Sequence, residues 1–326
     1  MRHSFLLVSL VSLPLAAQSH VIPHALTNAP GSSSTNFPLG NSTPGRVQYI
    51  YDNHEVGLTV PVTLRSLEIR ALFSASNVAK SNIDLEISLG ATPTPAAAAT
   101  TSFANNRGPN HAVVYARRLT NLPPTTPSFP GQYSGPLPFD APVLYAPTGN
   151  ALLVEYDVAS QPSGTWPMDT PFTGAGPHTS IGSGCGGLTA SSTGGLIGNT
   201  LTFSLTGGIV GNPAVMLLGD LELPAPLPLP TPGCLLYQNA LVTLSTSIAS
   251  PTSVVIPLPN VRPLRGFVAY GQFGSIDAGM NLIASNSRRV VIAGLYDVAR
   301  VYNNSSNTSP TGTVQQNVGI VTRFGL

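Results

Sequence analysis

"NIDLEISLG", Asn82 to Gly90, decides the fold class. Ile83, Leu85, Ile87 and Leu89 fall on one side of an extended chain, and Asp84, Glu86 and Ser88 on the other. Strand side chains alternate between two faces, so a strict period of two marks a half-buried strand; a helix repeats its apolar residues every three to four. The same alternation runs through "LEIRALF", with Leu67, Ile69, Ala71 and Phe73 set against Glu68 and Arg70. "HAVVYARRL" and "ALLVEYDV" extend it, and "NTLTFSLTG", "AVMLLG", "ALVTLSTSI", "SVVIPLP", "GFVAYGQF" and "RRVVIAG" carry it through the second half. Clusters of Pro, Gly, Asn and Ser separate these runs. The pattern predicts an all-β chain of two antiparallel, jelly-roll-like β-sandwich domains in tandem. "TPTPAAAATTSF" is rich in alanine, but its prolines and length make it a loop with at most one helical turn. "LPAPLPLPTPG" cannot donate a full ladder and reads as an extended edge or connector.

Composition agrees. Of 326 residues, 42% are apolar and only 8% charged, with 32 Gly and 32 Pro; ordinary globular chains carry about 25% charged residues. Long helices need charged outer faces, so this balance favours many short strands. Arg2 followed by the apolar run Phe5–Leu15 reads as a secretory signal, cleaved after Ala17 or after Ser19. The expected address is extracellular or the cell surface, with the periplasm as the other exported compartment. No later segment approaches the roughly 18 uninterrupted apolar residues of a membrane span. The chain has 14 basic and 13 acidic side chains, and loss of Arg2 balances them. Without a basic patch, nucleic acid and anionic membranes are excluded as partners. Near-neutral charge suits association with a surface or matrix.

The reading divides the chain into a signal peptide at 1–17, an extended N-terminal segment at 18–45 and a first sandwich at 46–165. A Gly/Pro/Ser-rich junction at 166–184 follows, then a second sandwich at 185–292 and a C-terminal tail or extra strands at 293–326. Trp166, the single tryptophan, is expected to seal the junction. "IGSGCGG" spells G-x-G-x-x-G through Gly182, Gly184 and Gly187, yet lacks the strand before and the helix after that a dinucleotide loop requires. It is expected to turn the chain from one sandwich into the next. Cys185 lies inside it. A Cys185 nucleophile would need a base such as His178 and a free thiol; export makes a disulfide with Cys234, the only other cysteine, the preferred reading.

Three further constellations carry chemistry. Cleavage after Ser19 would leave His20 at the amino terminus, where amine and imidazole chelate copper if His54 or His111 folds nearby; cleavage after Ala17 would leave Gln-Ser-His, a copper or nickel chelator. The i, i+2 pairs Asp84/Glu86, Glu155/Asp157 and Asp220/Glu222 each point to one side of a strand, as a solvated sheet face, a calcium site or a glycosidic acid/base pair would need. Tyr49 and Tyr51 in "VQYIYD" share a face and form either core or a carbohydrate platform.

The stretches "SSSTNFPLG", "VQYIYD", "NIDLEISLG", "TSFANNRG" and "GNALLVEYDV" resemble a β-sandwich module of exported proteins from planctomycete-type bacteria. "GSGCGG", "AVMLLG", "PLPLPTPGCLLY", "VIPLPN" and "FVAYGQFGSIDAGMNLIASNSRRVVI" resemble a C-terminal domain of the same proteins. The likeness spans about residues 20–292, whereas Ala293–Leu326 departs from the pattern. It implies export and an all-β build, supports pairing of the two cysteines, and implies no reaction. The functional expectation is an exported, non-catalytic structural or adhesive protein binding glycan, matrix or another exported protein, with no required cofactor. The rival is an exported enzyme: a copper oxidase through His20, or a hydrolase through a carboxylate pair.

Overall fold

The computed structural model describes residues 18–171, 174–248 and 252–326, so the signal-peptide reading of 1–17 lies outside the described residues. Its strands in chain order are β1 Ser19–Ile22, β2 Ser33–Thr35, β3 Gly45–Tyr51, β4 Val62–Ile69, β5 Lys80–Thr92, β6 Ala112–Leu122, β7 Leu137–Tyr145, β8 Ala151–Ser160, β9 Met168–Thr170, β10 His178–Ile181 and β11 Thr189–Gly194. They continue with β12 Thr200–Thr206, β13 Pro213–Gly219, β14 Glu222–Pro228, β15 Leu235–Gln238, β16 Val242–Ser247, β17 Thr252–Pro257, β18 Val268–Ile276, β19 Leu282–Val291, β20 Val298–Asn303, β21 Thr313–Gln316 and β22 Thr322–Gly325. The one α-helix among the described residues, α1, is the single turn Asn53–Val56.

The alternating stretch that set the fold class is β5, and Ile83, Leu85, Ile87 and Leu89 are all fully buried. They belong to a six-stranded sheet, β21-β20-β3-β8-β5-β6. Its inner face packs Val47, Tyr49, Tyr51, Val154 and Tyr156 against Leu64, Leu67, Ile69 and Phe324 of a four-stranded sheet, β1-β22-β4-β7. A second core lies between the sheets β10-β19-β18-β13-β16 and β11-β12-β17, where Leu201, Phe203 and Leu205 meet Met216, Phe273 and Val290. All pairings within the sheets are antiparallel, so the chain is an all-β protein of two sandwiches. The proline-rich run becomes β14, an exposed strand paired only with β15.

Of the two expectations for 293–326, extra strands is what the fold contains. β20 pairs with β3 in register Val298↔Tyr51 to Asn303↔Arg46, and β22 lies between β1 and β4. The strands of the second sandwich therefore sit, along the chain, between two parts of the first. β9 still pairs with β2, whereas β10 already pairs with β19, so the chain has passed from one sandwich to the other between these two strands, inside the expected junction. "IGSGCGG" is then a turn within the second sandwich, not the hinge between sandwiches. Gly182, at φ +65°, lies against the Tyr237 ring, where a side chain has no room. The disulfide Cys185–Cys234, with Cα atoms 5.3 Å apart, ties this turn to the β14–β15 hairpin.

The structure changes two expectations, for Trp166 and Arg70, and settles the open alternative for Tyr49 and Tyr51. Trp166 does not seal the junction; it is fully buried in the first core, its Nε1 donating to the Pro123 carbonyl at 3.0 Å. Tyr49 and Tyr51 are core, not platform: β3 is a central strand, and their hydroxyls donate to the Phe37 and Ile320 carbonyls at 2.9 and 2.7 Å. Arg70 follows the outward position expected of it, but the N-terminal segment closes over it. Its guanidinium donates to the Leu26 and Ala29 carbonyls, both at 2.7 Å, and to Asp169 at 2.8 Å, and Asp169 also accepts from the Gly31 amide. Neither side chain of the Arg70–Asp169 pair touches solvent. This pair pins the extended 18–45 segment onto β4 and β9.

Candidate functional site

The carboxylates singled out in sequence do converge. β5 and β8 are neighbours in register Glu86↔Asp157 and Ser88↔Glu155, so Asp84, Glu86, Glu155 and Asp157 share the outer face of the six-stranded sheet. Arginines meet them there. Arg117 reaches Asp157 at 2.7 Å, Asp84 at 3.6 Å and Glu86 at 4.0 Å. Glu155 is buried beneath the 93–111 loop and takes Arg46 at 2.6 Å, Arg107 at 2.7 Å and the Gln48 amide at 2.7 Å, with His111 Nε2 at 3.4 Å. Burial alone raises the Glu155 pKa, but the His111, Arg107 and Gln48 contacts and the Arg46 charge outweigh it and hold the carboxyl well below the usual range. A carboxylate so held is a permanently ionised clamp, unlike the raised pKa that a general acid requires. The third pair separates into other contacts: Asp220 accepts from Asn239, and Glu222 pairs with Arg289.

His20 lies half-buried on β1, its Nε2 on the Val56 carbonyl and its ring stacked on His24 at 5.1 Å. Burial lowers its pKa, against the Val56 bond that raises it. The two histidines considered as its copper partners turn elsewhere: His111 to Glu155, and His54 to Asp297.

A cleft of about 550 Å³ opens where the two sandwiches meet, lined among others by His24, Asn28, His54, Glu55, Arg262 and Phe267. The first sandwich supplies the β1–β2 connection and α1; the second supplies the segment between β17 and β18. α1 is short because Gly57 ends it in the left-handed region at φ +72°, with His24 packed where a side chain would sit. That stop exposes His54 and buries Glu55 toward the junction. Glu55 Oε1 accepts from Arg265 Nη1 at 2.6 Å and from the Asp297 amide at 3.0 Å, and both side chains of the Glu55–Arg265 pair are buried. Arg265 also donates to the Leu295 carbonyl at 2.6 Å and lies over the Tyr296 ring. Beside it, Gly266 at φ +75° abuts the Ala25 carbonyl of the first sandwich, an approach only glycine allows. On the cleft's rim, His54 Nε2 lies 2.8 Å from Asp297 Oδ2 and 3.3 Å from Glu55 Oε1, and Arg262 Nη2 lies 2.8 Å from Asp297 Oδ2. Phe267 is 45% exposed here.

Sequence reading missed this site. "YDNHEV" places Asp52, His54 and Glu55 together, and that density of acid and imidazole was the available signal. Arg262, Arg265 and Asp297 reach it only through the topology. No helix among the described residues is long and apolar enough to cross a membrane. Set against known families and curated proteins, the chain matches no family model and no curated sequence.

Proposed function

We propose that the protein is an exported, non-catalytic binding component of the cell surface or matrix, taking a carbohydrate in the cleft between its sandwiches. The observation that carries this reading is the cleft itself. Its volume of about 550 Å³ suits a small ligand, and its lining combines one exposed aromatic face, Phe267, with convergent polar groups from Asn28, His24 and Arg262. Sugars are bound by that combination: an apolar ring face for their C–H side and fixed donors and acceptors for their hydroxyls. Export is supported by the apolar run Phe5–Leu15 and by the Cys185–Cys234 disulfide, which an oxidising compartment maintains. The buried Glu55–Arg265 pair keeps the two walls in fixed relation. A glycan array with the purified mature chain, together with cell fractionation, tests the proposal. Binding that Phe267→Ala and Arg262→Ala each weaken at least tenfold is expected. A freely secreted chain that binds no glycan overturns it.

A further inference from the structure

We propose that Asp52, His54 and Asp297 form a site for a divalent first-row transition ion of the zinc class, with open coordination positions toward the cleft. One ligand atom from each of the three residues lies within 4.8 Å of the other two. Ligands about 2.1 Å from a tetrahedral ion stand about 3.4 Å apart, so the widest separation needs to close by at most about 1.4 Å and the His54–Asp297 pair to open by about 0.6 Å. His54 Nε2 and Asp297 Oδ2 are already 2.8 Å apart, with a proton between them that an ion replaces on binding. The imidazole selects the class: calcium and magnesium prefer all-oxygen sets, while imidazole with carboxylates suits zinc and its neighbours. Three protein ligands leave at least one position for water or a ligand group.

Two features prepare the site. The Ala96 amide donates to Asp52 Oδ1 at 2.7 Å, and the Asp52 amide donates to the Asp297 carbonyl at 3.1 Å. These bonds fix two acids from distant parts of the chain in one place. The second feature is an orphan. Glu55 is 1% exposed, and its Oε2 is buried without a hydrogen-bond partner, although Oε1 of the same carboxylate lies 3.3 Å from His54 Nε2. An unpaired buried carboxylate oxygen is costly. A water on an ion beside His54 supplies the missing donor. Arg262 opposes the ion, because its Nη2 holds Asp297 Oδ2; with 58% of its side chain exposed, it can withdraw into solvent.

The inference stands apart from the carbohydrate reading, since ion binding needs no glycan. Its test is calorimetric titration of zinc into the chelator-washed mature chain, with cobalt absorption as a second readout. Zinc is the probe because a Gln-Ser-His terminus would capture copper or nickel. One ion per chain is expected, with a cobalt spectrum of low coordination number. His54→Ala and Asp297→Asn should each weaken binding at least tenfold. Arg262→Gln should tighten it severalfold, which an adventitious surface site would not show. His178→Ala, in the second sandwich, should leave it unchanged. Absence of stoichiometric zinc, or unaltered affinity in His54→Ala, overturns the proposal. Where His54→Ala proves unfolded by circular dichroism, an Arg262→Gln chain that binds no tighter than the original overturns it equally.

Discussion

Asp169→Asn removes one charge from a pair that has no contact with water. The substitution is nearly isosteric, so packing survives and the electrostatic change stands alone. Arg70 keeps its bonds to the Leu26 and Ala29 carbonyls but loses its counter-charge in a low-dielectric setting. Breaking one side of a buried pair costs about 3–5 kcal/mol. At about 2–4 °C per kcal/mol for a domain of this size, the first sandwich should melt about 6–20 °C lower. Trp166 reports the event, because the chain's single tryptophan is buried in that core. The assay is Trp emission against temperature and urea for the native chain, Asp169→Asn, Arg70→Met and the double variant. The double variant should cost less than the two single losses added, since no buried charge remains unpaired. Limited proteolysis should find the 18–45 segment cut first in both single variants, as Arg70 holds Leu26 and Ala29 and the Asp169 carboxylate accepts from the Gly31 amide. A loss below about 1 kcal/mol, or strict additivity, refutes the view that this pair anchors the segment.

Other expectations follow from the same structure. Reducing Cys185–Cys234, which closes a separation of 49 residues, should destabilise the second sandwich by about 4 kcal/mol in the chain-entropy view. Far-UV circular dichroism should then show an earlier transition while Trp166 emission holds; if both move together, the sandwiches melt as one unit. Ending the chain at Ile292 deletes β20, β21 and β22, so Trp166 should emit as in unfolded chain, and native emission would contradict the pairing of β22 with β4. Glu155 titrates below its unfolded value of about 4.3. Its stabilisation is therefore complete above that pH and is lost as pH falls below it. Glu155→Gln should cost about 3 kcal/mol near neutrality and flatten the acid limb of the stability curve; an unchanged acid limb counts against the clamp.

The fold was legible wherever one face of a strand met the core and the other met water or a short side chain. β5 is the clearest case, since from Ile83 to Ile87 its burial repeats the alternation of its sequence, although Ser88 and Gly90 beyond are buried as well. Legibility failed where the second face was covered by irregular chain. Arg70 and Glu155 sit on faces that read as solvated, yet the 18–45 segment and the 93–111 loop, which have no periodicity to announce them, bury both. Long-range pairing was equally silent: nothing local in "VARVYN" says that it joins "GRVQYIY". The candidate site combines these two failures. Asp52, His54 and Glu55 are visible as a cluster, but an acid-rich turn at a strand end is ordinary. It becomes a site only because β20 returns Asp297 beside Asp52, and because the segment before β18 brings Arg262 and Arg265 against it. None of these residues lies in a strand: they sit in the turns beside β3, β18 and β20, which alternation does not describe, and their meeting depends on an insertion topology that alternation cannot encode. The candidate site therefore lies at the seam between sandwiches, where chain returns converge, and not in any contiguous motif.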